Sequence, residues 1–456
     1  NYRKYNEEGI LTSEVQYADD TLHGHWKLYE GGKLIEAGHY KKGKASGEWE
    51  TFYRTGQHQQ ASYWESDTLQ SIGNFHTIKG DTLPGGTLKR GTGTVHQYDS
   101  YGKLLATATY ELGVLHGTYV TYHANGSVES TQNYVQGVLE GPWQRYSKEG
   151  QLLERGKYRD GELQGAYVSY SREGRTEVKG YFRQGLKDGL WTQFYPEGGV
   201  HSKGYFKQDS LHGLWQEFYP NGALRQRGYY EMAKAEGIWE LFYPSGELMS
   251  KGEYREDQRE GLWTVYYPEE EIHSRGVYEE GVQEGIWKYY EYGDKGVYLA
   301  EQGNYYQGQR EGPWEVFDEK GNVIAEGSYA LDQQVGEWRL YHPKGELFQV
   351  ETWEKGFLQS LGPCYDRKGN PLNCGSFEDG HGLRKKYHPN GELSAIGNYV
   401  DGRAEGFWKY YDDKGRDLAE GMMKEGARTG KWRFYDKRGD LLSEVNYEEG
   451  EIVPQS

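Results

Sequence analysis

This chain has few of the residues from which ordinary cores are built. Hydrophobic residues make up only 35% of its 456 residues, with 4 Met, 2 Cys and 12 Pro. A conventional globular chain is closer to ~45–50% apolar, so a thick two-layer core is not expected. No run of ~18 apolar residues occurs, so no transmembrane helix is expected. Two cysteines exclude a disulfide-dense scaffold, and a CxxC metal spacing is absent. Positive charge is also short: 53 Lys and Arg stand against 70 Asp and Glu, a formal net charge of -17. Nucleic-acid backbones and anionic membranes select basic surfaces, so neither is an expected partner. The numbering begins at Asn1 with no basic-then-apolar leader. A signal peptide or N-terminal anchor would therefore lie outside it, and membrane association would run through such an anchor or a partner.

Glycine and aromatic residues take the place of the missing aliphatics. There are 66 Gly, 43 Tyr and 14 Trp, and aromatics reach 15%. The mean hydropathy of -0.98 would suit a disordered chain. Disordered chains are poor in aromatics, however, so a thin, aromatic-faced sheet fits better.

The chain repeats itself. Gly213-Leu214-Trp215, Phe218-Tyr219-Pro220-Asn221-Gly222, Leu224 and Gly228-Tyr229-Tyr230 are followed by Gly237-Ile238-Trp239, Phe242-Tyr243-Pro244-Ser245-Gly246, Leu248 and Gly252-Glu253-Tyr254. The Trp slot recurs every 24 residues at Val95, Tyr119, Trp143, Tyr167, Trp191, Trp215, Trp239, Trp263 and Trp287, and Trp314 and Trp338 continue it. About 19 such units account for the whole chain, 1–456, as one array. Each reads as a β-hairpin. Trp191 to Tyr195 is aromatic and β-branched, as strands prefer, and Pro196-Glu197-Gly198-Gly199 is a turn. Val200, Ser202, Gly204 and Phe206 then share one face by alternation, and His201, Lys203 and Tyr205 the other. Short turns make neighbours antiparallel. The expected fold is all-β: an elongated, single-layer antiparallel β-meander of about 24-residue hairpins. An aromatic ring can lie flat over the side-chain-free Gly204, so Trp143, Trp191, Trp215, Trp239, Trp263, Trp287, Trp314 and Trp338 are read as a structural ladder.

The pattern Gly-x-Trp-x-x-Tyr-Tyr-x-x-Gly-x-Leu-x-x-x-Gly-x-Tyr-x-x-Gly, nearly intact from Gly261-Leu262-Trp263 to Tyr278-Glu279-Glu280-Gly281, resembles the MORN repeat in its bacterial variant form, as in proteins of the YwqK-like antitoxin type. The resemblance implies an extended β-sheet and protein–protein or membrane-proximal scaffolding.

Two units depart from the period, near 69–94 and 354–383. Both carry a similar phrase, Leu69-Gln70-Ser71-Ile72-Gly73 and Leu358-Gln359-Ser360-Leu361-Gly362. Such interruptions are expected to project loops that carry binding. Cys364 and Cys374 flank the second turn. In a hairpin centred on Gly369 they face one another, either as a disulfide or as two reduced thiols. A bridge would indicate an oxidising compartment.

No chemistry-bearing constellation stands out. His23, His116 and His212 share one Leu-His-Gly turn slot, many units apart, and cannot share a metal. Glu269-Glu270-Glu271 and Asp412-Asp413 read as solvated turns. No catalytic, cofactor-binding or metal-binding residue is assigned, and no cofactor is expected. The expected function is a non-enzymatic scaffold or accessory subunit that binds other proteins in a larger complex, in a bacterial cell envelope (periplasmic or outer-membrane-associated), with the cytoplasm as the other compartment. The alternative is an antitoxin-like binder that sequesters a toxic partner protein.

Overall fold

The computed structural model describes residues 1–453. Every regular element among them is a β-strand, and the sheets are open and antiparallel, with neighbours in sequence paired in space. The chain divides into two units, 1–223 with 230–233, and 224–229 with 234–456. Each is described by itself.

In the first unit a nine-stranded sheet runs from Tyr2–Tyr5 to Thr82–Leu83, and a second ladder starts at Gly93–Tyr98. One hairpin illustrates the rule. Strand Gly189–Phe194 pairs with Val200–Lys207 so that Trp191 faces Gly204 and Gln193 faces Ser202. Cross-strand partners share a face, so Trp191, Gln193, Ser202, Gly204 and Phe206 line one side, and Leu190, Thr192, Lys203 and Tyr205 the other, as alternation demands. The hairpin closes through Gly198 N–H to Tyr195 O at 2.9 Å. The next unit is entered through Gln208 and Asp209, both at positive φ, the two-residue turn whose twist matches the flanking strands.

In the second unit a ladder ends at Pro371–Leu372 and an eight-stranded sheet begins at Gly375–Glu378. Its regular hairpins carry a fixed irregularity. Lys251 pairs with Thr264, but Glu253 pairs with Glu260, so Gly261 and Leu262 bulge out of the ladder. Gly261 sits at φ +65, where a side chain would be strained. The glycine that opens each repeat is therefore a bulge glycine.

The interruptions do not project long loops. Residues 84–92 are tied to the sheet by Gly91 N–H to Gln70 O at 2.9 Å and His96 N–H to Gly85 O at 2.8 Å. The second interruption repeats these bonds, with Gly380 N–H to Gln359 O and Lys385 N–H to Cys374 O, both at 2.8 Å. Leu69, Leu88 and Val95 form a small apolar core inside the first.

Candidate functional site

The tryptophan face is closed by its own side chains. In Trp191, Trp239, Trp263, Trp287, Trp314 and Trp338 the residue is 2–7% exposed, whereas Trp143 and Trp215 are half-buried. The ring lies over a glycine, but not the one its own hairpin supplies. A Cβ added to Gly204 would meet the ring of Trp215, and the ring of Trp191 lies over Gly180. The same offset holds at Gly252 under Trp263, Gly276 under Trp287 and Gly327 under Trp338. Trp143 is different, with its indole nitrogen nearest the Gly156 site. The offset has a cause. Trp263 Nε1 donates to Glu253 O at 3.0 Å, and in the Trp191 repeat the equivalent Tyr181 carbonyl accepts the Asp188 backbone N–H as well as the indole. Trp191, Trp287, Trp338, Trp408 and Trp432 make the same bond to the residue ten positions earlier, at 2.9–3.1 Å. A tyrosine stands edge-on between successive rings: Tyr254 lies 5.7 Å from Trp239 and 5.2 Å from Trp263. Cations cap some rings, as Arg259 does over Trp263 at 4.7 Å and Tyr278 at 5.2 Å.

Two more bonds recur with the repeat. At the slot four residues after Trp, Tyr195, Tyr243 and Tyr267 donate to the carbonyl 23 residues on, at 2.6–2.9 Å. His123, His342 and His388 occupy the same slot with Nε2 at 2.8–2.9 Å from the equivalent carbonyl. Tyr and His interchange there because both are planar and carry a donor at the tip. At the slot before the bulge glycine, Glu236, Glu260 and Glu405 accept the backbone N–H 20 residues on. His116 Nδ1 takes this role towards Gln136 N–H at 3.5 Å. These side chains tie one repeat to the next.

The opposite face is open. Leu190, Tyr181 and Tyr205 in the first unit, and Ile238, Leu262, Val277 and Ile286 in the second, are all at least 42% exposed. They stand in the slots beside Trp and beside Gly, and pair across strands, as Leu190 with Tyr205 and Leu262 with Val277. Next to this apolar row runs a row of cations. In the first unit Arg155, Lys179 and Lys203 lie over Tyr170, Phe194 and Phe218 at 5.8, 5.5 and 5.3 Å. In the second, Arg227 and Lys251 hold the same slot, and both pair with Glu240. The tryptophan face carries an apolar groove of about 300 Å³ in the first unit, between Trp191 and Trp215, with Lys187 at its rim.

The second interruption holds the most charged interior. Glu351 and Arg384 are 4% and 6% exposed and form a short ion pair. Trp353 Nε1 donates to Glu351 at 3.0 Å, and Arg384 reaches Tyr399 Oη at 3.3 Å. Burial, reinforced by the Arg384 charge and opposed by Glu351, pushes the Lys386 ammonium down to about 8. Sequence reasoning missed this cluster. The available signal was an arginine in a Trp slot, 46 residues after Trp338. Cys364 and Cys374 lie beside it, both buried, with Cα atoms 6.2 Å apart, a spacing a disulfide takes. They are not directly opposed, as a turn centred on Gly369 would have them. Cys364 pairs with Leu372 and Tyr365 with Pro371, because the Asp366–Asn370 turn centres the hairpin on Lys368.

Among the described residues no group of three or more His, Cys, Asp or Glu could hold a metal ion. Among the same residues no helix is long and apolar enough to cross a membrane. Eight stretches of the chain match the MORN repeat variant: 115–136, 139–160, 187–208, 211–232, 235–256, 310–330, 380–401 and 428–449. No curated protein matches the chain. Among solved structures, it is similar to a chain in the crystal structure of TcdB2-TccC3-Cdc42, at 11% identity over 97% of this chain and 28% of that one, with a TM-score of 0.14. A chain of the Photorhabdus luminescens Tc holotoxin pore is similar at 12% identity over 94% of this chain and 24% of that one, with a TM-score of 0.13. The chain thus spans about a quarter of the length of those chains, and likeness at such scores carries no argument.

Proposed function

We propose that the chain is a non-enzymatic scaffold whose repeats hold partner proteins in a larger assembly. One observation carries the reading. Each regular hairpin spends its tryptophan, glycine and tyrosine on binding its neighbours, and leaves aliphatic and aromatic side chains exposed on the other face. Leu262 at 62% and Ile286 at 64% exposure are the clearest. Apolar side chains exposed in a row, repeat after repeat, form the kind of patch that marks interaction sites. The eight matches to the MORN repeat variant agree with such a role. Crosslinking and mass spectrometry of the complex purified from its source test it. Crosslinks from partner proteins to residues on the face of Leu262 are expected. A chain that co-purifies with no other protein would overturn the reading.

The compartment we propose is a bacterial cell envelope. Its support is the pair Cys364 and Cys374 at bridging distance. Peptide mapping of the native protein without reductant is expected to recover the two cysteines in one linked fragment, and free thiols at both positions would remove the argument.

A further inference from the structure

The opposite face is not uniform in charge. Between 151 and 208 the chain carries ten Lys and Arg against seven Asp and Glu, a local excess of cations in a chain of net charge -17. Arg155, Lys179 and Lys203 recur there at the same position in three successive repeats, 24 residues apart. Register places them on the face away from the tryptophans. Arg155 pairs with Gln144, Lys179 with Val168 and Lys203 with Thr192, each beside a Trp-slot pair that points the other way. Arg155 and Lys179 are exposed, and none of the three has an ion-pair partner among the described residues. An aromatic ring beneath each, Tyr170, Phe194 or Phe218, holds the cation near the sheet. Two residues along the strand and on the same face, Tyr181 beside Lys179 and Tyr205 beside Lys203, with Leu190 opposite Tyr205, form an apolar row at 57%, 48% and 42% exposure, and Lys157 holds that slot beside Arg155.

The geometry points to a docking surface for an acidic, amphipathic helix of a partner protein, lying across the strands of these three repeats. This rests on the scaffold reading and names the partner's chemistry. Charge complementarity selects an anion, and the apolar row beside the cations selects one with a hydrophobic stripe. The spacing selects a helix. Two strands per repeat at about 4.8 Å put successive cations about 10 Å apart. Seven residues of α-helix rise about 10.5 Å and return to the same face, so one carboxylate per heptad meets one cation per repeat. Leucines three and four positions from each carboxylate then cover Tyr181, Leu190 and Tyr205. An extended strand fits less well, because three residues span about 10 Å but reverse the face.

The test uses the full chain and a synthetic 21-residue helical peptide with glutamate at one heptad position and leucine three and four residues later. A peptide of the same composition in scrambled order is the control. The ordered peptide is expected to bind at least tenfold more tightly than the scrambled one. The triple variant Arg155→Glu, Lys179→Glu, Lys203→Glu should lose that binding by at least tenfold while keeping its circular dichroism and tryptophan emission. The milder triple change to Gln guards against a variant that fails to fold, and should also weaken binding. Equal binding of both peptides, or an unchanged affinity in a folded triple variant, overturns the proposal. So does binding of phosphatidylserine vesicles that the ordered peptide does not displace, which would assign the row to a membrane. A two-chain mass at low salt that the triple variant abolishes would assign it to a second copy, and also overturns it. If crosslinks in the native complex reach the opposite face only outside 151–208, this surface fails while the scaffold reading stands.

Discussion

Gly252→Ala tests the ring-over-glycine contact directly. A Cβ at Gly252 would lie 2.1 Å from Cδ2 of Trp263, where ordinary contact begins near 3.4 Å, so the ring must withdraw by more than an ångström. It has little room to do so. Its Nε1 holds the Glu253 carbonyl at 3.0 Å, Tyr254 and Tyr278 stand against it at 5.2 and 6.1 Å, and Arg259 covers it at 4.7 Å. Withdrawal forfeits the hydrogen bond, about 1 kcal/mol, and loosens two aromatic contacts at about 0.5–1.5 kcal/mol each. A destabilisation of about 2–4 kcal/mol follows, near the upper end for inserting one methyl group in a packed site. Trp263→Ala should cost at least as much, about 3–5 kcal/mol. The two changes act on one contact, so they cannot add: Gly252→Ala with Trp263→Ala together should be no worse than Trp263→Ala alone, within about 0.5 kcal/mol. Because repeats respond to their neighbours more than to distant ones, native-state hydrogen exchange over 240–290 is the right assay, alongside denaturant unfolding. Additive effects, or a Gly252→Ala protein as stable as wild type, would refute the stacking argument.

Other residues give sharper tests of single bonds. Tyr267→Phe removes the donor to Tyr290 O and should cost about 1 kcal/mol, whereas Tyr267→His, the residue used at 123, 342 and 388, should cost less; denaturant midpoints decide the order. Glu351→Gln leaves Arg384 buried without its anion and should cost about 3–5 kcal/mol, while Glu351→Ser with Arg384→Val, copying Ser62 and Val95, should recover most of it in the same unfolding assay. The ammonium of Lys386 is held down from 10.5 to about 8, so its charged form is the penalised one in the fold. Between those values the unfolded chain binds more protons, so stability should rise with pH from 8 to 10.5, by at most about 3 kcal/mol. Lys386→Met should flatten that slope, and an unchanged slope would place Lys386 in solvent.

Much of the fold was legible because periodicity carries it. The alternation that put Ser202, Gly204 and Phe206 on one side and Lys203 and Tyr205 on the other is what the register shows. What could not be read was which ring covers which glycine. Gly204 pairs with Trp191 on one side and Trp215 on the other, and sequence spacing favours neither. The choice is made by side-chain rotamer and, at Trp263, by the indole bond to the Glu253 carbonyl, neither of which has a sequence signature of its own. The cysteine register failed for a similar reason: a five-residue turn shifts the centre of the hairpin by one residue, and one residue changes the partner. The buried pair of Glu351 and Arg384 was invisible because the two residues are 33 positions apart and each alone resembles a surface charge.

The two interruptions bear on how such an array acquires a site. They differ in composition but share a backbone. Phe75 pairs with Leu83 and His76 with Thr82; Cys364 pairs with Leu372 and Tyr365 with Pro371. Gly113 N–H bonds to Gly91 O at 2.8 Å, and Gly402 N–H to Gly380 O at 2.9 Å. Tyr98 and Tyr387 donate to Pro84 O and Asn373 O. Matching bonds at matching positions make these a second form of the repeat rather than two decayed copies. Their interiors then differ in a telling way. Leu88 and Val95 fill the first with apolar side chains, whereas Phe377, Arg384 and Glu351 fill the second. The first shows that this backbone closes without an ionic pair, and a buried pair seldom adds stability over apolar groups of similar volume. Folding therefore does not account for Arg384 and Glu351. If the swap to Val and Ser leaves stability intact, the reason for the pair lies in what the second unit binds or responds to, and the region from Glu351 to Tyr399 becomes the first place to look for a difference between the two.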